Sequence, residues 1–160
     1  LHPAQIAKNK RKDQIRAGDY VRDYQLRKLS IHPSSRELQL IFNFSALMLP
    51  PTKELVKESY AWLAKLRSAN DEALVYDGTA MKHCIGNQWF KLCNAYARLG
   101  LWVWRTFRNS SLSSFDALDA KQSTKFFSKC LVASTFPFLN YIASSEKITP
   151  KSAFQTLGKS

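Results

Sequence analysis

Between Gln88 and Asn109 runs a stretch of 22 residues without proline, in which large apolar side chains recur at helical rather than alternating intervals. On a wheel turned by 100° per residue, Trp89, Cys93, Tyr96, Gly100, Val103, Trp104 and Phe107 fall on one side. Lys91, Asn94, Arg98, Trp102, Arg105 and Asn109 fall within a stripe about 80° wide on the other. A strand cannot sort residues in this way, because its side chains change face at every step. The pattern predicts one long amphipathic helix with an aromatic inner face, and three cations spaced seven apart around an outward Trp102.

The rest of the chain carries the same period, punctuated by helix starts and stops. Asp19 is placed to cap a short helix over Tyr20–Leu29, which His32-Pro33 ends. Ser34 or Ser35 opens the next, with Glu37 set for a capping box. That helix, running to about Leu49, is apolar almost all round and is expected inside the core until Pro50-Pro51 stops it. Thr52 caps a third helix to about Ala69, with Leu55, Ser59, Trp62, Leu63 and Leu66 inward and Lys53, Lys57, Tyr60 and Arg67 on the other side. Asn70-Asp71 reads as its boundary, and Asp77-Gly78 as a turn. Thr79–Ile85 reads as a short helix closed by Gly86. Ser110–Ser114 reads as a loop, with Ser114 capping a short turn over Phe115–Ala120. Lys121–Val132 is expected as a helix with Phe126, Phe127, Cys130 and Leu131 inward. Pro137 separates it from Phe138–Ser144, and Thr149-Pro150 starts a last helix ended by Gly158. With few glycines and no run of alternating strands, the fold class is all-α: a compact irregular bundle of about seven or eight helices.

Charge bears on partners rather than on fold. The 160 residues hold 24 Lys and Arg against 12 Asp and Glu, a net of +12. Residues 1–36 carry nine basic and three acidic side chains, half of that net. Residues 1–18 are read as a basic N-terminal arm that orders on binding, with Lys8, Lys10, Arg11, Lys12 and Arg16 as its contacts. Residues 19–160 are read as a single helical domain. The second cationic constellation is Lys91, Arg98 and Arg105, with Trp102 as a flat surface for an unstacked base.

Catalytic and metal chemistry find no foothold in the sequence. Phosphate-loop, dinucleotide and hydrolase-elbow signatures are absent, so no cofactor is expected. Cys84 and Cys93 stand nine apart, with no CxxC or HxxxH to build a zinc site. His83-Cys84 lacks a third partner in sequence. Three cysteines are an odd and sparse set, which suits reduced thiols in an intracellular setting and leaves an organellar matrix open. Leu1-His2-Pro3 lacks the order of a signal peptide. The longest apolar stretches, Leu38–Leu49 and Cys130–Ala143, are too short or too interrupted to span a bilayer.

The string Phe115-Asp116-Ala117-Leu118-Asp119 resembles, over five residues, one in the coat proteins of flexible filamentous plant viruses. The aromatic expected at Leu118 is missing and the flanks do not follow, so it assigns no family. The leading expectation is a non-enzymatic, structural RNA-binding protein. It would package or scaffold RNA of low sequence specificity, most readily single-stranded, in a large ribonucleoprotein assembly. Such a subunit is a coat, nucleocapsid or ribosomal-type protein, beside other protein subunits in a particle or virion. The alternative is a protein-interaction subunit that uses exposed aromatics, its charge serving solubility or an acidic partner. A third reading is a peripheral membrane protein with Phe136-Pro137-Phe138-Leu139 as an inserting loop.

Overall fold

The computed structural model describes residues 18, 20–47, 49–115 and 118–136; the statements below concern these. They form six α-helices and two 3-10 turns, with no strand among them. Residues 20–28 make α1. Ser35–Ala46 is α2, Lys53–Ala73 is α3 and Gly78–Ala95 is α4. A 3-10 turn over Ala97–Leu99 leads to α5, Leu101–Arg108, and a second over Ser111–Phe115 precedes α6, Ala120–Thr135. The all-α class is therefore observed. The basic arm, the Asp19 cap, the Pro137 break and the two C-terminal helices expected at 138–144 and 149–158 lie outside the described residues.

Helix starts follow the short polar side chains. Ser34 Oγ accepts the Glu37 N–H at 3.2 Å while Glu37 Oε2 accepts the Ser34 N–H at 2.7 Å, a full capping box. Glu37 also meets Lys65 Nζ at 2.7 Å, tying α2 to α3. That ammonium, with the Ser34 N–H, holds the Glu37 carboxyl below its ordinary range. Thr52, Asp77 and Asp119 each accept the N–H three residues on, opening α3, α4 and α6.

Several expected boundaries move. The third helix does not stop at Asn70-Asp71; α3 continues to Ala73 and ends on Leu74 in the left-handed conformation, φ 50°. Asn70 is buried inside the helix, and its amide does the work of a turn. It accepts the Tyr76 N–H at 2.9 Å and donates to the Tyr76 carbonyl at 3.0 Å. The helix expected over Thr79–Ile85 is not closed by Gly86, which lies buried within a continuous α4. The serine-rich segment is a 3-10 turn rather than an open loop, so Ser114 lies inside it instead of capping a turn.

α4 forms the spine, packed against α3 on one side and against the second 3-10 turn and α5 on the other. Trp89, Leu92 and Cys93 of α4 are fully buried, with Leu55, Val56, Trp62 and Leu63 of α3 and Val103 and Phe107 of α5. Phe126 of α6 joins them, its ring in edge contact with Phe90, Trp104 and Phe107 at 5.2–5.8 Å between centroids. Tyr60, expected on the outer side of α3, instead packs its ring at a tilt against Trp89, 5.5 Å between centroids.

Two inward expectations are only half met. α2 buries Leu40 and Asn43, but Leu38 and Phe42 lie on its exposed side, and Leu47 beyond its end is exposed too. α6 buries Phe126 and Cys130, while Phe127 and Leu131 are exposed. On α2, Ile41 and Phe44 still pack partly against the core, whereas Leu38 and Phe42 turn away from it. The end of α2 is locked by Asn43, which donates to Tyr96 Oη at 2.6 Å and accepts the Leu49 N–H at 2.8 Å; Tyr96 then donates to the Leu49 carbonyl at 3.2 Å.

Candidate nucleic-acid interface

The stretch Gln88–Asn109 is two helices, not one. α4 ends at Ala95, the next residues tighten into a 3-10 turn, and Gly100 adopts φ 77°, ψ −159°. Only glycine takes this conformation without strain. A Cβ there would also run into Ser134 Oγ of α6. That hydroxyl accepts the Leu101 N–H at 2.7 Å and so caps α5, which has no capping side chain of its own. The apolar side survives the break: Trp89, Cys93, Tyr96, Val103 and Phe107 are all buried. The polar stripe does not, since a spacing of seven keeps residues aligned only along an unbroken helix.

The break separates the expected site residues. Trp102 is half-buried against the core, with Lys53 Nζ from the start of α3 5.6 Å from its ring centroid. Arg105 is exposed on the outer side of α5. Lys91 is exposed on α4, beside a recess of about 410 Å³ that it shares with Asn94 and Ala95. Lys8, Lys10, Arg11, Lys12 and Arg16 lie outside the described residues.

Arg98 gains new neighbours. It lines an open cleft of about 690 Å³ between the end of α4 and α6, facing Lys125 and Lys129. The small residues Ala95, Ala97, Ser128 and Ala133 also line it. Val132 and Phe136 complete its apolar wall, each just over half exposed. Asn94 and Ala95 line both the cleft and the Lys91 recess, so the two adjoin. Lys129 Nζ donates to Asn94 Oδ1 at 3.1 Å, which steadies its ammonium across the cleft without neutralising it. Among the described residues no carboxylate lines the cleft.

That local picture matches a segregation along the chain. Residues 78–136 hold eight Lys and Arg against only Asp116 and Asp119, whereas residues 37–77 hold four against six acids. The four ion pairs among the described residues, Asp23–Arg27, Arg36–Glu58, Glu37–Lys65 and Arg67–Asp71, all lie in α1–α3. Among the described residues no carboxylate pairs with the cations of α4–α6; Arg108 lies 5.7 Å from the Trp104 ring centroid.

Lys125 and Lys129 lie outside the pattern of Gln88–Asn109 and reach the cleft from another helix. Their signal was present: Lys121, Lys125 and Lys129 recur every fourth residue, on a side of α6 away from Phe126 and Cys130.

The thiols offer no second centre. Burial pushes the Cys93 thiol well up, helped by the neighbouring Cys130. Burial likewise pushes Cys130 up to about 11, against the Trp104 backbone hydrogen bond and the Lys129 charge. Cys84 is exposed and free. Among the described residues no group of three or more His, Cys, Asp or Glu is arranged to hold a metal, and no helix is long and apolar enough to cross a membrane. No protein-family model, no curated protein and no solved structure matches the chain.

Proposed function

We propose that this chain is a structural RNA-binding protein, a helical subunit that packages or scaffolds RNA within a large ribonucleoprotein particle, as a coat, nucleocapsid or ribosomal-type subunit. The observation that carries the reading is the cleft between α4 and α6, where Arg98, Lys125 and Lys129 converge with no carboxylate of the described residues on its walls. Cations so placed bind phosphate oxygens and release condensed counterions, and Arg98 can grip a phosphate with both arms of its guanidinium. Lys91, Arg105 and the arm residues Lys8, Lys10, Arg11, Lys12 and Arg16 extend the same chemistry along a strand. Binding of this kind is tolerant of sequence, as suits a packaging subunit.

The test is the salt dependence of binding to a single-stranded RNA. Each phosphate contact contributes a log–log slope of about −0.7, so three contacts weaken binding roughly twentyfold over a fourfold rise in salt. Replacing Arg98, Lys125 and Lys129 together by Ala should make the slope shallower by about two units. An unchanged slope in the triple variant overturns the reading.

A protein-interaction subunit is the second reading, favoured by the exposed pair Leu38 and Phe42, one turn apart on the outside of α2. It predicts concentration-dependent self-association that Phe42→Glu abolishes while RNA affinity stays unchanged.

A further inference from the structure

We propose that Phe136 is the platform on which an unpaired base stacks, so that the cleft takes single-stranded nucleic acid in preference to duplex. The inference rests on the phosphate-binding reading of the cleft and adds to it the form of nucleic acid selected.

Lys125, Lys129, Val132 and Phe136 stand at i, i+4, i+7 and i+11 on α6 and its C-terminal cap, which places them within about 60° of one another on the helix. Along that line two cations are followed by two apolar side chains, and all four border the cleft. Phe136 is 54% exposed and Val132 53%, whereas Phe126 and Phe107 close by are buried. Phe127, the next most exposed ring of α6, is already committed to Trp104 at 5.4 Å. Phe136 has no such aromatic partner among the described residues. Its backbone N–H bonds the Val132 carbonyl, so the helix end holds it beside the cations.

A ring in that place has a use that a further cation would not. Lys125 and Lys129 sit about 6 Å apart along the axis, within reach of adjacent phosphates of an extended strand. The bases of such a strand are unpaired and need an apolar surface, which the face of Phe136 supplies. A duplex keeps its bases stacked inside, so it can meet the cations but offers the ring no unpaired base to stack on. Trp102, the aromatic that the sequence singles out, lies outside the cleft.

The experiment measures the affinity of the whole chain for a labelled single-stranded oligoadenylate and for a duplex of matched length, by fluorescence anisotropy across a salt series. Phe136→Ala and Phe136→Leu should each weaken single-strand binding by roughly 5- to 150-fold, the span that base–aromatic stacking allows. Phe136→Trp should keep or tighten it. None of the three should change the salt slope, since no charge is removed, and none should alter duplex binding. Phe136→Leu keeps apolar bulk, so weakening in that variant reports stacking rather than a fraying helix end. If the triple cation variant flattens the slope while Phe136→Leu binds like the unaltered chain, the platform is refuted and the cleft stands. If the triple variant leaves the slope unchanged, the underlying reading fails as well. If Phe136→Ala instead reduces co-sedimentation with phosphatidylserine-containing vesicles and leaves single-strand affinity unchanged, an anionic membrane is the occupant and the proposal is overturned.

Discussion

Replacing Gly100 by Ala tests the joint between α4 and α5 by the sign of its effect. Were Gln88–Asn109 one continuous helix, the substitution would stabilise the protein by about 0.5–1 kcal/mol, because glycine in a helix interior is less favourable than alanine by that amount. The observed joint requires the opposite. At φ 77°, ψ −159° a residue with a Cβ is strained by about 1–3 kcal/mol. The new methyl would also displace the Ser134 hydroxyl that caps the Leu101 N–H, and losing such a cap costs about 1 kcal/mol. The two effects together predict a loss of about 2–4 kcal/mol, which lowers Tm by roughly 5–15 °C in a chain of this size. Urea unfolding monitored by circular dichroism measures it directly, as a fall in the midpoint at constant slope. Ser134→Ala separates the two contributions. Alone it should cost about 1 kcal/mol; in its background Gly100→Ala should cost less than in the unaltered chain, because the clash is gone and the strain remains. A Gly100→Ala protein as stable as the original, or more so, refutes the joint and restores the continuous helix with its cationic stripe.

Leu74 ends α3 with φ 50° and is 80% exposed, so Leu74→Gly should raise stability by about 1 kcal/mol, seen as a higher urea midpoint. Tyr96→Phe removes the hydroxyl that Asn43 and Leu49 share, and should lower stability by about 1–3 kcal/mol in the same assay. An alkylating reagent at neutral pH should label Cys84 alone in the folded chain, and Cys93 and Cys130 only after unfolding, as read by peptide mass mapping. The raised Cys130 thiol also fixes a pH dependence. Between the ordinary thiol range, near 9, and about 11 the unfolded chain releases a proton that the folded chain keeps, so stability falls as pH rises through that window. Cys130→Ala should flatten the decline.

How far the sequence could be read depended on the range of the interactions involved. Caps are local, and Ser34, Thr52 and the inner face of α3 stood where the pattern placed them. Gly100 was read as one residue on the apolar face of a continuous helix. The Ser134 hydroxyl that caps α5 beside it belongs to another helix, which a window around Gly100 does not contain. The candidate site has the same history. Arg98 was legible as an outward cation, but its partners Lys125 and Lys129 come from α6, and only the packing of α6 beside the first 3-10 turn brings them together. α2 misled for a related reason: an all-apolar helix predicts burial on every side, and Leu38 and Phe42 show that the described residues cover only one.

The docking of α1 has a consequence for how the molecule opens. That helix joins the rest chiefly through Leu26 and, just beyond its end, Leu29 and Ile31, while Tyr20, Val21 and Tyr24 face outward. Three buried side chains, worth roughly 1.5–3 kcal/mol each, oppose the ordering of nine residues, whereas α4 is held on two sides by fully buried aromatics. α1 should therefore behave as a separate opening unit. Its amide hydrogens would exchange with solvent through a local excursion, at a small part of the free energy that protects those of α4. Trypsin would find Arg22, Arg27 and Lys28 during the same excursion, before the spine has moved.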